Sequence, residues 1–341
     1  MMKIFKLSPF VEKQFKQHPE LESMIDEDLD LATDWRSFKQ NHSQLDIFSL
    51  PRLYRQSRLA LIAAKDCQYK NPEEHRVTLK LTSQLAHLMI QYAYKTATEE
   101  FTLKHGKIIN SDGVVQNLII FALGKLGGNE LNYSSDVDLV FCYTGNGESD
   151  GNRSLDAQNY FIRLGRRIIQ ILDSFTQQGI VYRVDMRLRP FGSVAPLVCR
   201  NSNLLDYLET EGRDWERYAW LRASFIAGDE QVGKQTLAHI QPFIYRKYLD
   251  YSIFESLRQI KSQISRKQLD DSENLKLGKG GIREIEFIVQ TLQLTFAGRN
   301  KQLRGNDLWQ QMHNLQSHKN ITVKEWQQLT VAWLFLRKVE N

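Results

Sequence analysis

The sequence has few cysteines, only Cys67, Cys142 and Cys199 among 341 residues. They lie far apart and form no CxxC pair, which argues against a zinc site and against a disulfide framework. The start of the chain also lacks the apolar core of a signal peptide, and no stretch approaches the ~18 apolar residues of a membrane span. We therefore expect a cytoplasmic protein that makes no use of a membrane.

Two common nucleotide-binding signatures are missing as well. The sequence contains neither the GxxxxGK[ST] loop nor the GxGxxG dinucleotide fingerprint. Its net charge of +5 fits a phosphate-bearing ligand, although many proteins without such a ligand have a similar charge. Arg163, Arg166 and Arg167 lie together, but no longer basic stripe with interleaved aromatic residues follows. A nucleic-acid partner is therefore not expected.

The pattern that is present changes twice along the chain. Residues 1–105 are predicted to be helical, and 79–104 show helical spacing without glycine or proline. Residues 106–200 alternate short apolar runs with turns, which predicts a small α/β unit, and residues 201–341 return to a helical pattern. The final amphipathic segment stops without a capping glycine or proline, so we expect a chain that is truncated at its C-terminus.

The central unit is predicted to run strand, turn, strand, long helix, strand. Apolar runs at 118–123 and 137–143 predict the first two strands, each ended by glycines. A helix is predicted from about residue 154, with Phe175 on its apolar face and Gly179 as its C-terminal cap. The third strand is predicted over 180–187.

Three aspartates fall on two of these predicted strands. Asp136 and Asp138 begin the second strand and share one face, because strand side chains alternate. If the third strand is its neighbour, Asp185 converges with them. Carboxylates that repel each other in this way need a compensating charge, and one or two Mg²⁺ ions with substrate phosphate would supply it. The alternative is a strand-start turn, with Asp185 paired to Arg183 or Arg187.

A glycine-rich stretch, Gly124-Lys125-Leu126-Gly127-Gly128, follows the first strand. Glycines after a strand let the backbone approach a phosphate, and a helix start adds N–H donors. The alternative is an ordinary tight turn.

The spacing from Leu123-Gly124 to the aspartate pair resembles the DNA-polymerase-β-like nucleotidyltransferase superfamily, although Lys125 stands where its signature usually has Ser or Gly. Longer runs resemble the glutamine synthetase adenylyltransferase family, whose bifunctional members attach AMP to a tyrosine of glutamine synthetase and remove it. These runs, which span about 170 residues, are GKLGGNELNYSSDVDLVF (124–141), YRVDMRLRPFG (182–192), EGRDWERYAW (211–220) and KLGKGGIREIEFIVQ (276–290).

Three features resemble the N-terminal, AMP-removing half of that family. They are LNYSSD before the aspartate pair, RPFG after the third aspartate, and GIREIEF in the last run. Residues 193–196 depart from the family, which usually has Asp-Ser-Gly-Pro there. The resemblance implies an α+β fold, with a polymerase-β-like core between two helical regions. It also implies Mg²⁺-dependent phosphorolysis that releases ADP and unmodified glutamine synthetase.

The resemblance also implies roles for residues. Asp136, Asp138 and Asp185 would be the catalytic residues and metal ligands. Candidates for contacting nucleotide or phosphate are Gly124, Lys125, Ser134, Ser135, Arg187 and Arg189. The two serines could instead satisfy the strand-entry turn, and the arginines could instead pair with the aspartates. A second candidate anion site at a helix start comprises Lys276, Lys279, Gly280 and Gly281.

The implied partners are glutamine synthetase, phosphate, ADP or ATP, and a PII-type signal protein that acts through the full-length enzyme. Three other functions stay open at this point. The first is the AMP-adding direction, and the second is a nucleotidyltransferase with another substrate. The third is a non-catalytic module that only docks glutamine synthetase or a PII protein.

Overall fold

The computed structural model describes residues 8–246, 262, 275 and 278–340. Its N-terminal region consists of helices α1 Pro9–Gln17, α2 Leu31–Asn41, α3 Ser49–Asp66 and α4 His75–His105. Asp30 starts α2 by accepting hydrogen bonds from the backbone of Ala32 and Thr33. Helix α4 ends where Gly106 adopts a φ of +77°. The predicted helix over 79–104 is therefore confirmed.

Seven strands follow, of which five form one sheet. They are β1 Ile108–Ile109, β2 Leu118–Ala122, β3 Val137–Tyr143, β4 Glu148–Ser149, β5 Val184–Asp185, β6 Val198–Arg200 and β7 Ser224–Gly228, counted in the described residues. The main sheet has the order β5-β3-β2-β7, and β6 also pairs with β3. Strand β2 is antiparallel to β3 and β7, whereas β5 and β6 run parallel to β3. Strands β1 and β4 form a separate pair.

Helices cover both faces of this sheet. The helices after the N-terminal region are α5 Gly124–Gly127, α6 Ala157–Asp173, α7 Asn201–Thr210, α8 Asp214–Trp220, α9 Glu230–Ile244, α10 Ile282–Phe296, α11 Leu308–Ser317 and α12 Val323–Glu340. Short 3₁₀ turns lie at Pro19–Glu22, Pro72–Glu74, Gly192–Val194 and Lys301–Leu303. The architecture confirms the predicted α+β class.

Alternating residues of the central strands enter two separate cores. Val137, Leu139 and Phe141 pack with residues of α4 and α6, as the alternation predicts. The opposite face of β3 is also buried, because Val140 and Cys142 pack with residues of α7 to α12. Burial on both faces explains why 137–143 is an almost continuous apolar run. No helix in the described part of the chain is long and apolar enough to cross a membrane.

The predicted extent of helix α6 was wrong at its C-terminus. The helix ends at Asp173 with Ser174 as its cap residue, and Phe175 is 85% exposed. Gly179 instead adopts a φ of +78° in a separate turn, in which its backbone N–H donates to Thr176 at 2.8 Å.

The third predicted strand was also too long, since β5 contains only Val184 and Asp185. Its end has a local cause. The backbone N–H of Arg187 donates to the Asp185 side chain at 2.8 Å, so it turns away from any strand partner.

Candidate active site

The register of two parallel strands brings the three aspartates together. Asp138 of β3 lies opposite Asp185 of β5, and Asp136 lies just before β3. All three line one pocket of about 340 Å³. Its other walls come from α5, α8 and α10, through Gly124, Lys125, Tyr218, Arg283 and Glu286, and from the connecting segments that carry Ser135, Arg187 and Arg222.

Gly124 lies against the side chain of Asp138. It starts α5 directly after β2, with a φ of +59°. A Cβ atom at this position would lie 2.4 Å from Oδ2 of Asp138. Only glycine combines this backbone conformation with this close approach, so Gly124 lets the Asp138 carboxylate lie against the start of α5.

Two of the aspartates have arginine partners. The guanidinium of Arg183 lies 2.6 Å from Asp136, and Nε of Arg187 donates to Asp185 at 2.8 Å. The hydrogen bonds from Arg187 lower the pKa of Asp185 below its ordinary value. The side chains of Arg183 and Arg187 are 65% and 83% exposed, so both can leave these carboxylates with little loss of packing.

The residues present fit a hard divalent cation in their chemistry. Carboxylate oxygens are the ligands that Mg²⁺ accepts in proteins, usually together with water and substrate phosphate. Across residues 8–246 and 278–340, however, no three His, Cys, Asp or Glu side chains are close enough to enclose a metal ion. The aspartates therefore form an open donor set in a shared pocket.

The remaining glycines of the stretch pack against protein groups. A Cβ on Gly127 would lie 2.0 Å from the backbone oxygen of Arg222, and one on Gly128 would lie 2.0 Å from its guanidinium. Arg222 itself is 4% exposed and pairs with Glu130 at 2.8 Å. These glycines thus make room for a buried arginine that also lines the aspartate pocket.

Lys125 lines the pocket but already has a partner. Its ammonium lies 2.7 Å from Glu340 at the end of α12, and both side chains are largely buried. Burial, together with the nearby Arg337, lowers the pKa of Lys125 to about 8, while Glu340 and Glu286 oppose that shift. This partner is 215 residues away along the chain, so the spacing of residues in the sequence does not reveal it.

The other candidate phosphate contacts differ in position. Ser134 is exposed, whereas Ser135 lines the pocket and donates its hydroxyl to Asn132. Arg189 donates to the backbone oxygen of Met186 at 2.7 Å and so supports its own loop. It also borders a shallow cavity beside Asp136 and Asp185.

The second candidate anion site is described only in part. Lys276 lies outside the described residues, whereas Lys279, Gly280 and Gly281 precede α10. The backbone N–H of Gly280 donates to the side chain of Glu284 at 2.8 Å, so a protein group already uses this donor.

The fold and pocket together have the arrangement of a nucleotidyltransferase domain, with aspartates on adjacent strands beside a glycine at a helix start. The family model of glutamate-ammonia ligase adenylyltransferase matches residues 1–239. The chain therefore belongs to the glutamate-ammonia ligase adenylyltransferase family. A second model, GlnD PII-uridylyltransferase, matches residues 255–341.

Several relatives are named bifunctional glutamine synthetase adenylyltransferase/adenylyl-removing enzyme. The protein from Xanthomonas axonopodis pv. citri (strain 306) is 44% identical over 266 residues, which cover 77% of this chain and 28% of the relative. The protein from Thioalkalivibrio sulfidiphilus (strain HL-EbGR7) is 42% identical over 292 residues, covering 85% and 30%. That from Psychromonas ingrahamii (strain DSM 17664 / CCUG 51855 / 37) is 40% identical over 358 residues, covering 100% and 37%. The chain thus spans only about a third of the length of these relatives.

Proposed function

We propose that the chain removes AMP from an adenylylated tyrosine of glutamine synthetase by phosphorolysis, producing ADP and the free tyrosine. The observation that carries this proposal is the shared pocket of Asp136, Asp138 and Asp185, built by the register of β3 and β5. The family to which the chain belongs and the names of its relatives support the substrate.

The reaction is an in-line displacement at phosphorus. An oxygen of inorganic phosphate attacks the phosphorus of the AMP group and forms a P–O–P bond, while the bond to the tyrosine oxygen breaks. The leaving phenolate takes up a proton. Asp136, Asp138 and Asp185 would hold one or two Mg²⁺ ions, which would supply positive charge for the phosphate oxygens.

Cationic side chains around the pocket would orient the phosphates. Arg187 is exposed beside Asp185 and presents a planar guanidinium that matches two phosphate oxygens. Because Arg187 is exposed, its guanidinium could move from Asp185 to a phosphate without loss of packing. Arg283, at the start of α10, lines the same pocket from the opposite side.

The AMP-removing direction rests on the motifs LNYSSD, RPFG and GIREIEF. The carboxylates themselves serve either direction, since the addition of AMP from ATP is also a displacement at the phosphorus of the AMP group. The match of residues 255–341 to a PII-uridylyltransferase model supports our further proposal that a PII-type signal protein regulates the full-length enzyme.

The test is to incubate the chain with adenylylated glutamine synthetase, Mg²⁺ and phosphate, and to measure ADP release. We expect ADP that requires phosphate and is lost in Asp136→Asn. Pyrophosphate formed from ATP and unmodified glutamine synthetase, without ADP in the first assay, would establish the AMP-adding direction. A folded chain that supports neither reaction would contradict the proposal.

A further inference from the structure

A network of buried charged side chains lies next to the aspartate pocket and lines part of it. It has three cationic and three acidic members: Lys125, Glu130, Arg222, Glu286, Arg337 and Glu340. Their side chains are between 1% and 15% exposed. Because the charges are equal in number and the contacts are continuous, the network is neutral as a whole.

Arg337 is the centre of this network. Its guanidinium lies 3.1 Å from both Glu130 and Glu286, and 2.8 Å from Glu340. Glu340 in turn lies 2.7 Å from the ammonium of Lys125. A continuous chain of ion pairs therefore connects α12 to α5, the helix that begins at Gly124.

The network joins the two regions that match different family models. Lys125, Glu130 and Arg222 lie within residues 1–239, whereas the other three members lie within 255–341. The first group has a net charge of +1 and the second of −1. The three members from the C-terminal region thus supply the negative charge that neutralises the positive charge of Lys125, Glu130 and Arg222 taken together.

Three members, Lys125, Arg222 and Glu286, line the pocket together with the aspartates. Among these, Lys125 is the cation whose contact with its carboxylate is closest, at 2.7 Å. A phosphoryl group that enters the pocket has the same charge sign as Glu340 and the same capacity to accept hydrogen bonds from an ammonium.

We propose that Glu340 competes with the phosphoryl groups of the ligand for the ammonium of Lys125. The end of α12 thereby sets the affinity of the pocket for phosphate-bearing ligands. The inference rests on the proposed function, which places phosphates in this pocket. It adds a regulatory contact, through which changes in the C-terminal region reach the active site.

The competition has a clear electrostatic consequence. Without the Glu340 charge, the network has a net charge of +1 next to the pocket when Lys125 is protonated. A phosphate that binds there then replaces the lost carboxylate as the partner of Lys125, and less of its binding energy goes into breaking an existing ion pair.

The experiment measures the Kd of ADP by calorimetry in the presence of Mg²⁺ at pH 7. It compares the wild type with Glu340→Gln, Lys125→Ala and the double variant, and circular dichroism establishes that each variant is folded. We expect Glu340→Gln to lower the Kd on the order of tenfold, equivalent to about 1.4 kcal/mol. Lys125→Ala should raise the Kd, and adding Glu340→Gln to it should restore little affinity.

Two further variants separate competition from general effects. Glu230→Gln removes a carboxylate from an exposed ion pair with Lys234 on α9, and we expect it to leave the Kd unchanged. Glu340→Asp keeps the charge on a shorter side chain and should give an intermediate Kd. It also serves as the test if Glu340→Gln does not fold.

Distinct results would overturn the inference and the proposed function. An ADP affinity that is unchanged or weaker in both Glu340 variants would contradict the competition alone. The same is true of a gain that is equally large in the Lys125→Ala background, because the effect would then not act through Lys125. If no variant binds ADP, the proposed function fails and the competition fails with it.

Discussion

Gly124 gives the sharpest test of how the pocket is built. Replacing it with alanine imposes two costs: a side chain at a φ of +59° and a Cβ only 2.4 Å from Oδ2 of Asp138. Gly113 provides a matched control, since its φ is +75° but nothing lies within 4 Å of a Cβ placed there. Gly113→Ala therefore carries only the backbone cost.

The magnitudes of the two effects can be separated. A non-glycine residue in the left-handed region costs about 1–2 kcal/mol, and both variants should lose that much stability. At Gly124 the Asp138 carboxylate must also move by about 1 Å, from 2.4 Å to the 3.4 Å of ordinary contact. Displacements of about 1 Å at a reacting centre cost on the order of 100-fold in rate. We therefore expect Gly124→Ala to lose activity about 100-fold and Gly113→Ala to keep it.

The assay combines urea unfolding with the rate of phosphate-dependent ADP release. Similar losses of stability together with a large difference in activity would support the reasoning. If Gly124→Ala retained the activity of Gly113→Ala, Asp138 would not depend on its contact with Gly124, and the geometric argument would be refuted.

Three further predictions concern stability, measured by urea unfolding. Trp333 is buried in the core that α7 to α12 form, and Trp333→Ala should cost about 3–5 kcal/mol. Phe335→Ala, on the exposed face of the same helix, should cost under about 0.5 kcal/mol. Glu130→Gln should cost about 3–5 kcal/mol because it removes the buried carboxylate that Arg222 and Arg337 share, whereas the exposed Glu230→Gln should cost under about 1 kcal/mol. The wild-type free energy of unfolding should gain a contribution from Lys125 as pH rises from about 8 to 10.5, since its folded pKa is near 8 and the unfolded chain then binds more protons.

Each of these predictions has a result that would count against it. Equal losses in the free energy of unfolding for the variants at positions 333 and 335 would mean that the core formed by α7 to α12 does not depend on the buried indole. A Glu130→Gln variant as stable as Glu230→Gln would mean that the buried network tolerates the loss of one negative charge. The Lys125 contribution is isolated by Lys125→Met, which should remove that part of the rise in stability. An identical pH dependence in this variant would contradict the lowered pKa.

The sequence pattern predicted the part of the site that depends on strands. The apolar runs at 118–123 and 137–143 correspond to β2 and β3, and side-chain alternation correctly put Val137 and Leu139 into a core. The pattern overestimated the length of β5, because the strand ends where the Arg187 backbone N–H donates a hydrogen bond to the Asp185 side chain, and an alternating pattern does not reveal such a bond.

The ion-pair network could not be predicted in the same way. Its members come from distant parts of the chain, and a single glutamate or arginine in a sequence is normally expected at the surface. Glu130 and Arg337, for example, are 207 residues apart. The one local signal was the Gly127-Gly128 pair, which leaves room for the backbone oxygen and the guanidinium of Arg222.

The proposal on which the function depends is that Asp136, Asp138 and Asp185 bind a divalent cation together with the phosphates of the ligand. The most direct measurement is electron paramagnetic resonance of free Mn²⁺, which prefers the same oxygen ligands as Mg²⁺, titrated with protein in the presence of ADP. We predict that the wild type removes Mn²⁺ from solution beyond the amount bound by ADP alone, and that folded Asp138→Asn does not. Equal Mn²⁺ binding by both proteins, or no binding by the wild type, would contradict the account.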